Sequence, residues 1–294
     1  MNAVIADPAI GPQLSTRTVH KRARAPRSAL PGFGLSLGFS VVYLSLLVLL
    51  PLAAVFLRAA GLGLDGLWRA LATERVLHAL ALSFGGAATA AAINAVFGGL
   101  VAWTFVRYEF PAKRWFHALV DLPFALPTAV AGIALTTLYS EHGWLGAPLA
   151  KLGIKVAYTP LGIVVAMVFI GLPFVVRTLE PVLSEAEAQF EEAAATLGAT
   201  RWQTIVHVIA PTVLPALMTG AALAFARAVG EYGSIIFIAG NVQKVSEIAP
   251  LLIMIRLDEF DYAGATALAA SMLVLSFGVL LAINLLQAWS RRRG

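Results

Sequence analysis

Apolar residues along the chain gather into six windows free of Asp, Glu, Lys and Arg: Ser28 to Leu57, Val76 to Val106, Leu122 to Ser140, Val156 to Val176, Trp202 to Ala226 and Tyr262 to Ser290. The shortest holds 19 residues, and a helix needs about 20 apolar residues to cross the hydrocarbon core of a bilayer. The pattern predicts an all-α fold, a polytopic membrane bundle of six transmembrane helices over residues 31–290. A basic tail (1–30), expected to be disordered, precedes it and a short C-terminus (291–294) follows.

Within the windows, Gly85, Gly86, Ala87 and Ala88, then Gly98, Gly99 and Ala102, give the second span a face of small residues where another helix can approach closely. Pro123 and Pro127 in the third window, Pro173 in the fourth, and Pro211 and Pro215 in the fifth are expected to mark helix ends or kinks. The longest segments between windows run to about 30 residues, shorter than a usual domain.

Composition agrees with burial in lipid. Of 294 residues, 59% are hydrophobic and 13% charged, about half the charged share of soluble domains. The absence of cysteine excludes disulfides, thiolate nucleophiles and cysteine-held metal centres. The net charge of +5 is concentrated: Arg17, Lys21, Arg22, Arg24 and Arg27 lie in the N-terminal tail and Arg291 to Arg293 at the C-terminus. Beside membrane spans such clusters set topology rather than bind nucleic acid. With six spans both termini share one side, whose segments carry 13 of the 21 basic residues against 8 opposite. The positive-inside rule places both termini in the cytoplasm.

One cytoplasmic stretch, about residues 180–207, differs in character. Glu180, Glu185, Glu187, Glu191 and Glu192 lead into Ala193, Ala194 and Ala195, with Gly198 shortly after. Ser184 is placed to cap a helix with Glu187 at the capping-box position. Gly198 is placed to end that helix, and a second short helix from about Thr200 leads into the fifth span at Pro211. Two helices meeting at a glycine, with alanines at the surface, form a unit that can slot into a groove on a partner.

The spacing Glu192-Ala193-Ala194, three residues, Gly198, nine residues, Val208, then Pro211 resembles the EAA loop of ABC importer permeases of type I architecture. Val208 stands where that pattern has Ile, and Ala210 where it has Leu. The segments Leu122 to Gly132, Pro173 to Thr178, Phe237 to Asn241 and Arg256 to Tyr262 are similar to T-type permeases of sulfate/thiosulfate importers, with much shared by molybdate permeases. The resemblance implies a multi-pass inner-membrane subunit with no catalytic residue, metal or cofactor of its own. Its implied partners are a W-type permease, a cytoplasmic ATPase dimer that binds ATP and Mg, and a periplasmic sulfate/thiosulfate-binding protein. It assigns ATPase coupling to the loop carrying Glu191, Glu192, Ala193, Ala194 and Gly198. Sulfate rather than another oxyanion rests on resemblance alone.

Charges and amides near spans need separate accounts, because a charge at a helix centre costs roughly 2.5 to 3.5 kcal/mol on insertion scales. Arg227 and Glu231, four apart, can pair on one helix face; they are candidates for a gate or path lining, or for a structural ion pair. Asn94, mid-span, is expected to bond to a neighbouring helix, with a substrate contact as the alternative. Asp121 is placed to cap the third helix and Arg177 to close the fourth. A stand-alone secondary carrier or channel would need intramembrane acids or unwound segments, and the six windows hold no Asp or Glu. An intramembrane enzyme would need clustered ligands or a base and nucleophile, whereas His20, His78, His117, His142 and His207 are scattered.

Overall fold

The computed structural model describes residues 33–185 and 188–291. The basic tail, Glu187, Arg292 and Arg293 lie outside the described residues. Two units are distinguished, residues 1–51 and 52–294. In the first, described by itself, residues 33–51 are helical, with one π-helical turn at Ser45–Leu49. This is the start of α1 (Phe33–Ala60).

Eleven further helices follow: α2 (Gly63–Leu71), α3 (Glu74–Arg107), α4 (Lys113–Ala125), α5 (Thr128–Tyr139), α6 (Gly146–Lys151), α7 (Pro160–Glu185), α8 (Ala188–Thr196), α9 (Arg201–Val229), α10 (Ile235–Ile238), α11 (Ala249–Asp258) and α12 (Tyr262–Arg291). Among the described residues five helices, α1, α3, α7, α9 and α12, are long and apolar enough to cross a membrane. A sixth crossing exists if α4 and α5 count as one span, for they meet at a 117° bend. The third window is therefore not the straight helix its composition suggested. Pro127 lies at the break, where its ring bars the helical conformation at Leu126 (ψ 135°). The other prolines do not end helices: α7 runs through Pro173 and Pro181, and α9 through Pro211 and Pro215. The fifth span accordingly starts at Arg201 rather than at Pro211. The π-helical turn Ile205–Ile209 just before Pro211 carries α9 onward, the Ala210 N–H bonding back to the Ile205 carbonyl.

Helices α3, α7 and α9 pack against one another as the centre of residues 52–294. The small residues of α3 meet α7: Gly86 faces Met167, and Gly98 faces Val175 so closely that an added Cβ would come within 3.0 Å. Lipid offers no hydrophobic drive for helices to associate, so backbone proximity and dispersion must hold them. Asn94, fully buried, supplies the polar contact, its Nδ2 donating to the Val168 carbonyl at 3.1 Å. After the bend, α5 runs against α10. Gly132 touches the backbone of Ser234 there, leaving no room for a Cβ.

Gly132→Ala should therefore push α5 off Ser234 and lower thermal stability in detergent by the overpacking range of about 1–3 kcal/mol. An unchanged melting temperature would mean that this contact does not hold α5.

Candidate coupling surface and buried charge pairs

At the end of the bundle where α3 finishes at Arg107, the chain between α7 and α9 builds the acidic stretch into a defined turn. Helix α8 closes in a Schellman motif: the Ala199 N–H bonds to the Ala194 carbonyl and the Gly198 N–H to the Ala195 carbonyl, both at 3.0 Å. This geometry needs a left-handed residue, and Gly198 has φ +81°. Thr200 then caps α9, its Oγ1 accepting from the Gln203 N–H while Gln203 Oε1 accepts from the Thr200 N–H at 2.8 Å. The capping box thus stands at Thr200 and Gln203. Ser184, expected to cap the coupling helix, lies inside α7 and donates to the Pro181 carbonyl. A helical residue has no free amides ahead of it to cap, because α7 outruns its apolar window.

This turn presents an open surface. Glu192 and Ala193 are exposed and Ala194 half-buried, with Glu191 on the same helix. Leu197, 88% exposed, and Trp202, 73% exposed, add apolar area that the motif spacing did not reveal. Above them lies a cavity of about 890 Å³ walled by Leu100 and Trp103 of α3, Glu192 and Ala195 of α8, and Ile205 and Ile209 of the π-helical turn. Arg107 sits over the Trp103 ring, 5.1 Å from its centroid.

Beside this surface Arg177 joins α7 to α4. Its Nε donates to Asp121 Oδ1 at 2.8 Å, its Nη2 bonds Asp121 Oδ2, and its Nη1 donates to Glu180 Oε2 at 2.6 Å. His117 lies 3.3 Å from Glu180 and packs at a tilt against the Phe105 ring, 4.0 Å between centroids. Two expectations are corrected here: Asp121 is inside α4 rather than before it, and Arg177 is inside α7 rather than at its C-terminus. Each is held by the other's charge instead of by a helix end, a long-range pairing that spacing along the chain does not encode.

The opposite end, where α3 begins at Glu74, holds two buried carboxylates. Arg227 pairs with Glu231 at 2.6 Å, as their spacing predicted. Glu231 is 2% exposed, and its Oε1 also accepts from the Ser234 N–H and hydroxyl at 2.9 Å, so it ties the end of α9 to the start of α10. Glu247, 1% exposed, takes both oxygens to Arg75 at 2.6 and 2.8 Å. Lys244 pairs with Glu74 nearby, and Ser83 Oγ accepts from the Ala249 N–H at 2.8 Å. Sequence reasoning missed Arg75 and Glu247 because 172 residues separate them; a carboxylate next to the apolar run Ile248–Ala249 was the available signal. Across the connection from α5 to α7, Glu141 before α6 and Lys155 after it pair at 2.6 Å, and their hydrogen bond and charges raise the Lys155 pKa and lower that of Glu141. Asn94 stays fully buried at the crossing of α3 and α7, and His207 Nδ1 lies 3.1 Å from the Gln203 carbonyl of its own helix. Among the described residues no group of His, Cys, Asp or Glu is arranged to hold a metal.

A multi-span helical bundle with an exposed helical turn at one end and buried carboxylates at the other is the geometry of a membrane-embedded subunit. The chain belongs to the family of binding-protein-dependent transport system inner membrane components, whose model matches residues 94–293. It is thus a multi-pass inner-membrane permease component, not itself catalytic and without a cofactor, and the family implies ATPase and binding-protein partners. Its relatives include the sulfate transport system permease protein CysT of Synechocystis sp. (strain ATCC 27184 / PCC 6803 / Kazusa), 50% identical over 253 residues, 86% of this chain and 88% of the relative. The Escherichia coli (strain K12) protein of the same name is 48% identical over 92% of this chain and 98% of its own. The crystal structure of a bacterial ABC transporter that imports alginate has the same fold, with a TM-score of 0.69 at 16% identity, over 88% of this chain and 94% of that one.

Removing the partner of a buried charge strands it, at about 3–5 kcal/mol. Arg75→Met leaves the buried Glu247 carboxylate unpaired and should therefore cost stability on that scale, read by thermal unfolding, with part recovered when Glu247→Gln is added. Equal melting temperatures for wild type and Arg75→Met would show the pair to be inert. Gly198→Ala meets no neighbour within 4 Å, so its cost is the left-handed backbone alone, about 1–2 kcal/mol. It should leave the bundle folded while reducing transport coupled to ATP hydrolysis; full transport with this variant would exclude a requirement for the Schellman geometry.

Proposed function

We propose that this chain is the permease subunit through which sulfate, and with it thiosulfate, crosses the inner membrane in an ATP-driven importer. The observation that carries the reading is the 48–50% identity to sulfate permeases over most of the chain. The chain lies with both termini in the cytoplasm, an orientation supported by Arg107, Lys113, Arg114, Arg177 and Arg201 at the end that bears α8. It pairs with a W-type permease to complete the path, an ATPase dimer docks beneath, and a periplasmic sulfate/thiosulfate-binding protein delivers the ion.

ATP-driven closure of the ATPase pair moves α8, and with it Glu191, Glu192, Ala193, Ala194 and Gly198. The Schellman turn and the Thr200 cap leave no slack between α8 and α9, so the displacement passes into α9 and the bundle changes its open side. The intrinsic affinity of the path for anion is weak, since capture belongs to the binding protein. At the outer end Arg227 and Glu231 act as a structural clamp beside the path: Glu231 satisfies Arg227, Ser234 and the start of α10 together, which leaves little charge for an anion. Asn94 braces α3 on α7 and does not touch substrate.

The test is radiolabelled sulfate uptake in cells lacking their own T-type permease. The wild-type chain should restore uptake, and molybdate should not compete at equal concentration. Leu197→Asp should abolish both uptake and co-purification of the ATPase while the subunit still inserts. Rescue of molybdate but not sulfate uptake would refute the substrate assignment, and retained ATPase binding by Leu197→Asp would refute the docking surface.

A further inference from the structure

Helix α2 is amphipathic. Leu64, Trp68 and Leu71 share one face by their spacing, and at the C-terminal end of that face Leu71 packs against the core while the helix lies on α12. Leu64 and Trp68, 87% and 74% exposed, form its outward ridge, flanked by a polar strip where Arg69 Nε donates to the Asp65 carbonyl at 3.3 Å. Among the described residues nothing covers the ridge.

A second segment shows the same exposure at the same end. Phe260 and Tyr262, between α11 and α12, are 77% and 52% exposed and meet edge to face at 6.4 Å. Arg256 of α11 ties the two segments together by donating to the Ala70 carbonyl of α2 at 3.3 Å.

The level of α2 is set by chain length. Two residues separate it from the end of α1 and two from the start of α3, connectors that reach about 10 Å at most. Helix α2 is thus held at the rim where two spans leave the hydrocarbon, the zone in which Trp and Tyr gather because an apolar ring there keeps a polar edge in water. A helix with one polar strip and an outward apolar ridge at that level lies in the headgroup layer.

We propose that Leu64 and Trp68 of α2, with Phe260 and Tyr262 beside them, form a lipid-binding patch seated at the boundary between headgroups and acyl chains, with Asp65 and Arg69 facing water and phosphate. The patch fixes the outer ends of α1 and α3 at one depth. Its occupant is phospholipid rather than a protein, because the two-residue connectors hold the ridge at the level where two spans leave the hydrocarbon.

The cysteine-free chain makes the test direct. Single-cysteine variants L64C, W68C and D65C, assembled with cysteine-free partner subunits in phospholipid nanodiscs, are spin-labelled. Collisions are then measured with oxygen, which concentrates in acyl chains, and with a water-soluble nickel chelate. The expected result is at least a threefold higher oxygen-to-nickel accessibility ratio at residues 64 and 68 than at 65. L64C carries the test if W68C fails to assemble. Nickel accessibility at Leu64 equal to that at Asp65 would overturn the proposal by placing the ridge in water. Shielding from both reagents would overturn it by placing a protein there.

Discussion

Helices in an apolar solvent gain nothing from hiding apolar side chains from one another, and this fold depends on what replaces that drive. Where α3 meets α7 the answer is closeness: Gly86 and Gly98 let side chains of α7 reach the α3 backbone, and Asn94 adds a polar contact at the same crossing. Helix α9 packs on both, so the three helices form the centre against which the remaining elements are placed.

That unit ends differently at its two faces. At the Glu74 end, buried carboxylates are sealed by arginines and amides: Glu231 by Arg227 and Ser234, Glu247 by Arg75. Burying two carboxylates is tolerable only when each is multiply bonded, and the same bonds tie the segments after α9 and before α11 to the central helices. At the Arg107 end the turn stays open, with Leu197 and Trp202 outward, and α8 meets α9 through the Schellman turn and the Thr200 cap, beside the cluster of Arg177, Asp121 and Glu180. The α8–α9 turn is thus shaped by hydrogen bonds between near neighbours, whereas Glu247 at the other end is held across 172 residues.

Much of the fold is legible in the order of residues alone. Runs of uncharged residues need only length to imply spans, and the Glu192 to Gly198 spacing marks the turn between two helices at a glycine, because capping and Schellman motifs are local and their residues lie within a few positions of one another. The Arg227–Glu231 pair is legible for the same reason, at four residues. The expectations that fail are those that let helices end where the apolar windows do. Asp121 and Arg177 were expected at helix ends, yet each sits within a helix that runs past the window because the two charges satisfy each other across 56 residues.

The sequence by itself determined that this is a helical membrane bundle with a helix–glycine–helix turn before the fifth span, since hydropathy, capping and spacing act over one helix or one loop. Only the tertiary structure decided which charges are buried and with whom, where the third window bends, and that Leu64 and Trp68 are left facing outward. Those outcomes depend on which helices lie side by side, a property of packing between distant segments that no local pattern specifies.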